Sequence, residues 1–438
     1  MAGVQGQTQA RDSQPWFCRA VQIDEALLQP FEAHGSPVCW HTHMARPTRW
    51  TNAREKSHRD SLHHRHTPYF LAAANSIMYR PTCAIIDRAA LRHNFSVIRR
   101  HVRHARVIAV IKADAYGHGL LRCAQALSDA DAFAVLELEA AVQLREAGFR
   151  QPILLLEGFF SIAELKVLAQ YQLSTVIHHH EQLAMLPSCK EIEKLDVFLK
   201  INSGMNRLGF RPEQGRTALD TLRQQAFVSS ITLMTHFACA DDPQEKHDID
   251  QQLNRFITLQ PQGAERLPRT LANSAAILRY PQTHADWVRP GLLLYGASPL
   301  IEKTGDELGL RPVMTLTSQI IAIQHLNPQD RLGYGGQFVA DRPMRIGIVA
   351  AGYADGYPRH APTGTPVLVE GQRTRLIGRV SMDMLSVDLS GIEQARIGSP
   401  VTLWGEGLPV ERVAESAGTI SYELLAALSP RVRSVTRS

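Results

Sequence analysis

The chain has 438 residues, 44% of them hydrophobic and 20% charged, with a formal net charge of +5 at neutral pH. That length holds more than one domain and a large core, and the mild, dispersed charge gives no Lys/Arg stripe of the kind nucleic-acid binding requires. Six cysteines without a CxxC pair argue against a disulfide framework or a thiolate metal site. No apolar run is long enough to span a membrane, and the first residues lack the apolar stretch of a secretory leader, so a cytoplasmic protein with no membrane partner is expected.

Residues 1–77 carry seven of the nineteen histidines, at 34, 41, 43, 58, 63, 64 and 66, mixed with Arg, Trp and Pro without a helical or strand period. No carboxylate or thiolate accompanies them at ligand spacing, so no metal site is expected. The segment reads as a disordered extension unable to bury a core, or as a consequence of translation starting at Met78.

From Met78 a repeating pattern begins. "CAIIDRAALRHNFSVIRRHV" reads as a short strand, then Asp87 as a helix N-cap, then a helix with Leu91, Phe95 and Ile98 on one face. "ARVIAVIKADAYGHG" is a β-rich run and turn, and "LLRCAQALSDA" the next helix. Apolar runs and amphipathic helices keep alternating through "DWVRPGLLLYG". About eight such units fit between residues 80 and 300, which predicts a (β/α)8 TIM barrel over residues 78–308. After Arg311 the pattern changes to strands separated by Gly/Pro turns, followed by a terminal helix pair. A C-terminal mostly-β domain is therefore predicted over residues 309–438. The first strand, residues 80–87, is a candidate to pair with it.

In a parallel barrel, reactive groups sit where strands end and βα loops begin. Polar residues closing apolar runs are Lys112 after "VIAVI", Arg207 in "KINSGMNRLGF", His236 after "ITLMT", Asn273 and Ser274 after "RTLA", and Arg289 after "DWV". Each alone reads equally well as a satisfied core or surface group; their recurrence at successive strand ends points to a site. No GxSxG elbow, HExxH pair or carboxylate cluster suggests hydrolase or metal chemistry. A lysine on a rigid strand end among cations is poised for a lowered pKa and imine formation, which suggests pyridoxal 5'-phosphate. "ANSAAI" and "RPGLLL" offer backbone N–H groups and small side chains for a phosphate.

"AVIKADAYGHG", "KINSGMNRLGF", "ANSAA", "VRPGLLLYG", "LGYGGQF", "AAGYADGYPR", "GRVSMDMLSVDL" and "SYELL" occur in that order and together resemble the consecutive motifs of the alanine racemase family. The resemblance runs from residue 78 to about 435. It implies a pyridoxal-phosphate-dependent isomerase that interconverts L- and D-alanine with two bases, for cell-wall synthesis or alanine catabolism. A broad-specificity amino-acid racemase on the same fold is the alternative.

Residue by residue, Lys112 matches the Schiff-base lysine and first base. Tyr334 matches the second base, supplied to the partner subunit's site within a homodimer. Tyr116, Ser274, Gly291 and Tyr422 match phosphate contacts, and His236 and Arg289 a hydrogen-bonded network, with Arg289 facing the cofactor's ring nitrogen. Asn273 stands beside Ser274 in the same cofactor-binding motif. Arg207 matches a group near the cofactor's phenolic oxygen and the substrate carboxylate. Lys200 matches a lysine carbamylated in some members; an ordinary strand-closing lysine is the alternative. Tyr353, Met382 and Asp383 resemble residues that line the substrate entrance of the partner's site and contact the substrate carboxylate. Phe338 stands where other members often have tyrosine.

Overall fold

The computed structural model of the protein describes residues 80–188, 193–259 and 266–438. The His-rich segment before Met78 lies outside the described residues. Strand β1 (Cys83–Asp87) ends at Asp87, whose carboxylate accepts the Ala90 N–H and so caps the helix Arg88–Val102. Leu91, Phe95 and Ile98 fall on that helix's buried face, at the spacing of one stripe.

Eight parallel strands then close into a barrel: β2 (Arg106–Val110), β3 (Ala132–Val135), β4 (Ile153–Leu155), β5 (Ser174–Ile177), β6 (Leu195–Lys200), β7 (Val228–Met234), β8 (Arg269–Thr270) and β9 (Trp287–Val288). Closure comes where Val107 of β2 pairs with Val288 of β9. Strands β3, β4 and β5 are buried at every position, because helices cover one face and the barrel interior fills the other. Among the described residues no helix is long and apolar enough to cross a membrane.

The second domain is built on β10 (Met314–Leu326), with a small hairpin of β11 (Arg331–Leu332) and β12 (Phe338–Val339). It continues through β13 (Met344–Val349), β14 (Pro366–Val369), β15 (Gln372–Ile377), β16 (Leu385–Asp388), β17 (Pro400–Trp404) and β18 (Arg433–Arg437). A break in register between Ile320 and Ala322 bends β10, so its first half pairs with β17 and β1 and its second half with β13. The sheet thereby curls back on itself around a core in which Tyr357 and Trp404 stack with centroids 6.0 Å apart.

Strand β1 lies in this sheet, antiparallel to β10 and parallel to β18. The helix pair Val410–Ala417 and Ser421–Ala426 is followed by β18, a strand that the sequence pattern does not predict. Its residues, "RSVTR", are all exposed and carry no apolar period, so pairing with β1 decides their conformation. Glu411 fastens the two domains: one carboxylate oxygen accepts the N–H groups of Ser298, at 2.7 Å, and Gly305, at 2.8 Å, on the connecting segment.

Candidate active site

The site sits at the C-terminal mouth of the barrel. Strand β2 delivers Ile111 fully buried and Lys112 half-buried at its end. The four residues that follow, Ala113 to Tyr116, have φ between 50° and 54°, a complete left-handed turn without glycine. Such a turn costs roughly 1–2 kcal/mol per residue, so its surroundings must hold it. Asp114 does so from within: its carboxylate accepts the Leu120 N–H at 2.7 Å and its carbonyl the Gly119 N–H at 2.9 Å. His118 does so from the far end. Its Nδ1 lies 3.0 Å from the Ala115 carbonyl and 2.8 Å from that of Tyr116. Both partners can only accept, so the imidazole proton sits on Nδ1.

Rings complete the clamp. Tyr295 stacks between His118, at 4.6 Å, and Tyr116, at 4.7 Å, and donates its hydroxyl to the Val110 carbonyl. Tyr422, from the helix Ser421–Ala426, meets the Tyr116 ring at 6.0 Å.

Burial and then the Arg207 guanidinium lower the Lys112 pKa; Glu157 and Glu137 oppose the shift. Lys200, closing β6, is buried, and burial followed by Arg289 and Arg207 pulls its pKa down to about 8. Burial and the charges of Arg289, Lys200, Arg207 and Lys112 hold His236 well below the usual imidazole range. These five groups therefore share one cationic field, and His236 is neutral near pH 7. Lys200, Arg207 and His236 line one crevice with Asn202, Ser203 and Met205.

Arg289 is 4% exposed and has no carboxylate partner among the described residues. It donates to the Thr270 hydroxyl and the Thr235 carbonyl, both at 2.6 Å, to the Leu271 carbonyl at 3.1 Å, and toward His236 Nδ1 at 3.5 Å. Burial lowers its pKa to about 9, which leaves it charged at neutral pH. Because His236 Nδ1 accepts from a guanidinium, its own proton is on Nε2.

Asn273 caps the short helix Ser274–Arg279 by accepting the Ala276 N–H, and Ser274 Oγ accepts the Gly291 N–H at 2.9 Å. A Cβ on Gly291 would lie 2.5 Å from Tyr116 Oη, so only glycine leaves this cradle open. Burial raises the pKa of both neighbouring phenols, Tyr422 to about 12, and both remain hydrogen-bond donors. Small side chains, protonated phenols, a half-buried amine and a cationic field fit pyridoxal 5'-phosphate, which is anionic and carries an aldehyde.

Lys112, Lys200, Arg207, His236 and Arg289 thus come together, as do Tyr116, Ser274, Gly291 and Tyr422. Tyr334, Tyr353, Met382 and Asp383 do not join them. All four lie on the β-domain, with Tyr334 71% exposed, and among the described residues no hydrogen bond or ring contact ties them to the barrel mouth. Tyr353 and Met382 instead sit on two turns bonded to each other. Glu137 and Glu157 were missed in the sequence, although each closes an apolar run, "AFAVLE" and "ILLLE", by the same rule that selected Lys112.

The alanine racemase N-terminal domain model matches residues 86–299 and the C-terminal domain model residues 313–436. An alanine racemase of Nitrosomonas europaea is 72% identical over 359 residues, 82% of this chain and 99% of that protein. A catabolic alanine racemase of Klebsiella aerogenes is 53% identical over 82% of this chain and its own whole length. The crystal structure of the biosynthetic alanine racemase from Pseudomonas aeruginosa superposes with a TM-score of 0.79 at 45% identity, over 82% of this chain and all of that one. With both domain models matched in order across the barrel and the β-domain, the chain belongs to the alanine racemase family.

Proposed function

We propose that this protein racemises alanine with pyridoxal 5'-phosphate, as a homodimer in which each β-domain completes the partner's site. The observation that carries this reading is the half-buried Lys112 amine, held on a braced turn within a field of cations. Lys112 would anchor the cofactor, Tyr116, Ser274, Gly291 and Tyr422 would hold its phosphate, and Asn273 would fix the Ser274 helix. Arg289 would face the ring nitrogen; having no acceptor lone pair and staying charged, it donates there and leaves that nitrogen without a proton. When bound, the cofactor supplies a conjugated ring that accepts the electron pair left behind by the substrate's α-proton.

Racemisation requires a proton to leave one face of the α-carbon and arrive on the other. Lys112 Nζ serves one face, and burial beside Arg207, which lowers its pKa, favours the neutral amine that can accept a proton. Tyr334 Oη of the partner subunit serves the other. Neutral His236, with Nε2–H available, would orient that phenol, while the charged Arg289 behind it keeps the imidazole from taking a proton. Arg207 would meet the substrate carboxylate. Lys200, whose amine is partly neutral at physiological pH, is suited to carbamylation, which would turn a repelling cation beside Arg207 into an anion that orients it. Tyr353, Met382 and Asp383 of the partner subunit would line the entrance.

The test is incubation of the cofactor-loaded protein with each L-amino acid in D2O, following α-deuteration and optical rotation. Exchange and racemisation of alanine that vanish in Lys112→Ala support the reading. Exchange on lysine or arginine but not on alanine overturns the substrate.

A further inference from the structure

Beneath the exposed Tyr353 and Met382 lies an ionic frame, centred on one buried carboxylate, that the reaction described above does not use. The turn bearing Tyr353 and the turn bearing Met382 are zipped backbone to backbone: Tyr353 N–H donates to the Ser381 carbonyl and Ala354 N–H to the Met382 carbonyl, both at 3.0 Å. A Cβ on Gly352 would lie 2.3 Å from the Met382 carbonyl oxygen, so the turns touch with no side chain between them.

Asp355, 1% exposed, sits under this junction. One of its oxygens accepts the Gly352 N–H at 2.9 Å and closes the Tyr353 turn. The other accepts from Arg80 at 2.5 Å and from Arg431 Nε at 2.8 Å. Both arginines reach on to the second turn. Arg431 Nη2 donates to the Asp383 carboxylate at 2.7 Å, and Arg80 donates to the Asp383 carbonyl. Two guanidinium groups thus balance two carboxylates. Burial pushes the Asp355 carboxyl pKa up, but the bonds from Arg80 and Arg431 outweigh it and keep the group ionised.

The balance has a consequence at the surface. Asp383 is about half exposed beside Met382, on the face that meets the substrate in the reading above. An amino acid arrives with its own carboxylate. A bare Asp383 would repel that charge, whereas an Asp383 pinned and neutralised by Arg431 leaves the turn free to receive it. A guanidinium suits the task because its planar fork holds Asp355 on Nε and Asp383 on Nη2 in one fixed geometry, which a flexible ammonium holds less firmly.

We propose that Asp355 and Arg431 are positioning residues for substrate entry, holding the Tyr353 and Met382 turns in register and neutralising Asp383 so that the alanine carboxylate can approach. The proposal rests on the racemase reading above.

The test is steady-state racemisation in both directions by cofactor-loaded Arg431→Met, Asp355→Asn, Asp383→Asn and the double variant Arg431→Met/Asp383→Asn. Arg431→Met is expected to raise KM for both alanine enantiomers about tenfold, equivalent to about 1.4 kcal/mol, with kcat altered less than about twofold. Asp383→Asn in that background should bring KM most of the way back, and added salt should shrink the Arg431→Met defect by screening the bare carboxylate. A merely structural role makes the double variant no better than Arg431→Met and leaves the defect indifferent to salt; that outcome overturns the proposal, as does an unchanged KM. Should Arg431→Met not fold, Arg431→Lys carries the test, with a smaller rise in KM that Asp383→Asn again reverses. A wild-type protein inactive on alanine would sink the racemase reading itself, whereas an active wild type with an unaffected Arg431→Met sinks only the positioning role.

Discussion

Gly291 faces the Tyr116 phenol so closely that a Cβ there would lie 2.5 Å from Oη and 3.2 Å from the ring carbon bearing it. Its φ of −117° is not the left-handed backbone that favours glycine, so the close approach is what calls for glycine here. The Tyr116 ring cannot swing aside cheaply, because Tyr295 stacks on it. Gly291→Ala should therefore displace the phenol, weaken cofactor binding roughly tenfold and lower stability by about 1–3 kcal/mol. Titration of the apo-protein with pyridoxal 5'-phosphate measures this, and an unchanged affinity would remove the cradle from the account.

Much of this site was legible because its signals are local. Lys112 announced itself by closing an apolar run, and Asp87 as a cap before a periodic helix. The left-handed turn was not legible, because Ala113, Ala115 and Tyr116 disfavour positive φ; the local bonds from His118 and the packing of Tyr295 hold it. Strands β8 and β9, two residues each, were still legible as "RTLA" and "DWV", the apolar runs that Asn273, Ser274 and Arg289 close. The Asp355 frame joins Arg80 to residues 355, 383 and 431, a separation that no window along the sequence can register.

His118 links that turn to pH. Burial lowers its pKa to about 4 from an ordinary 6.5, and among the described residues its Nε2 has no hydrogen-bond partner. The unfolded chain therefore binds the proton more tightly than the folded one. The neutral imidazole's contribution is complete above pH 6.5 and is lost as pH falls toward 4, a swing on the order of 3 kcal/mol. His118→Asn keeps a donor for the turn without a titrating group. Urea unfolding at pH 7.5 and pH 5 should show a larger acid-induced loss in the wild type than in the variant; equal losses would contradict the assignment.

The cationic field makes a separate prediction. After burial, Arg207 is the largest influence lowering the Lys112 pKa, so Arg207→Gln should move it upward. Covalent capture of pyridoxal 5'-phosphate needs the neutral amine, and its pH midpoint, read at residue 112 by mass spectrometry, should rise in the variant. A midpoint that stays in place or falls would mean that Arg207 does not set the charge state of this lysine.

In the proposed homodimer, one site draws its two bases from two chains, Lys112 from a barrel and Tyr334 from the partner's β-domain. Lys112→Ala and Tyr334→Phe each spoil both sites of their own homodimer. A mixed dimer of the two variants, isolated by different affinity tags, rebuilds one intact site from the Lys112 of one chain and the Tyr334 of the other. The expected result is alanine racemisation at up to about half the wild-type rate per dimer, well above either parent. A mixed dimer that forms but racemises no faster than its parents would contradict the shared site.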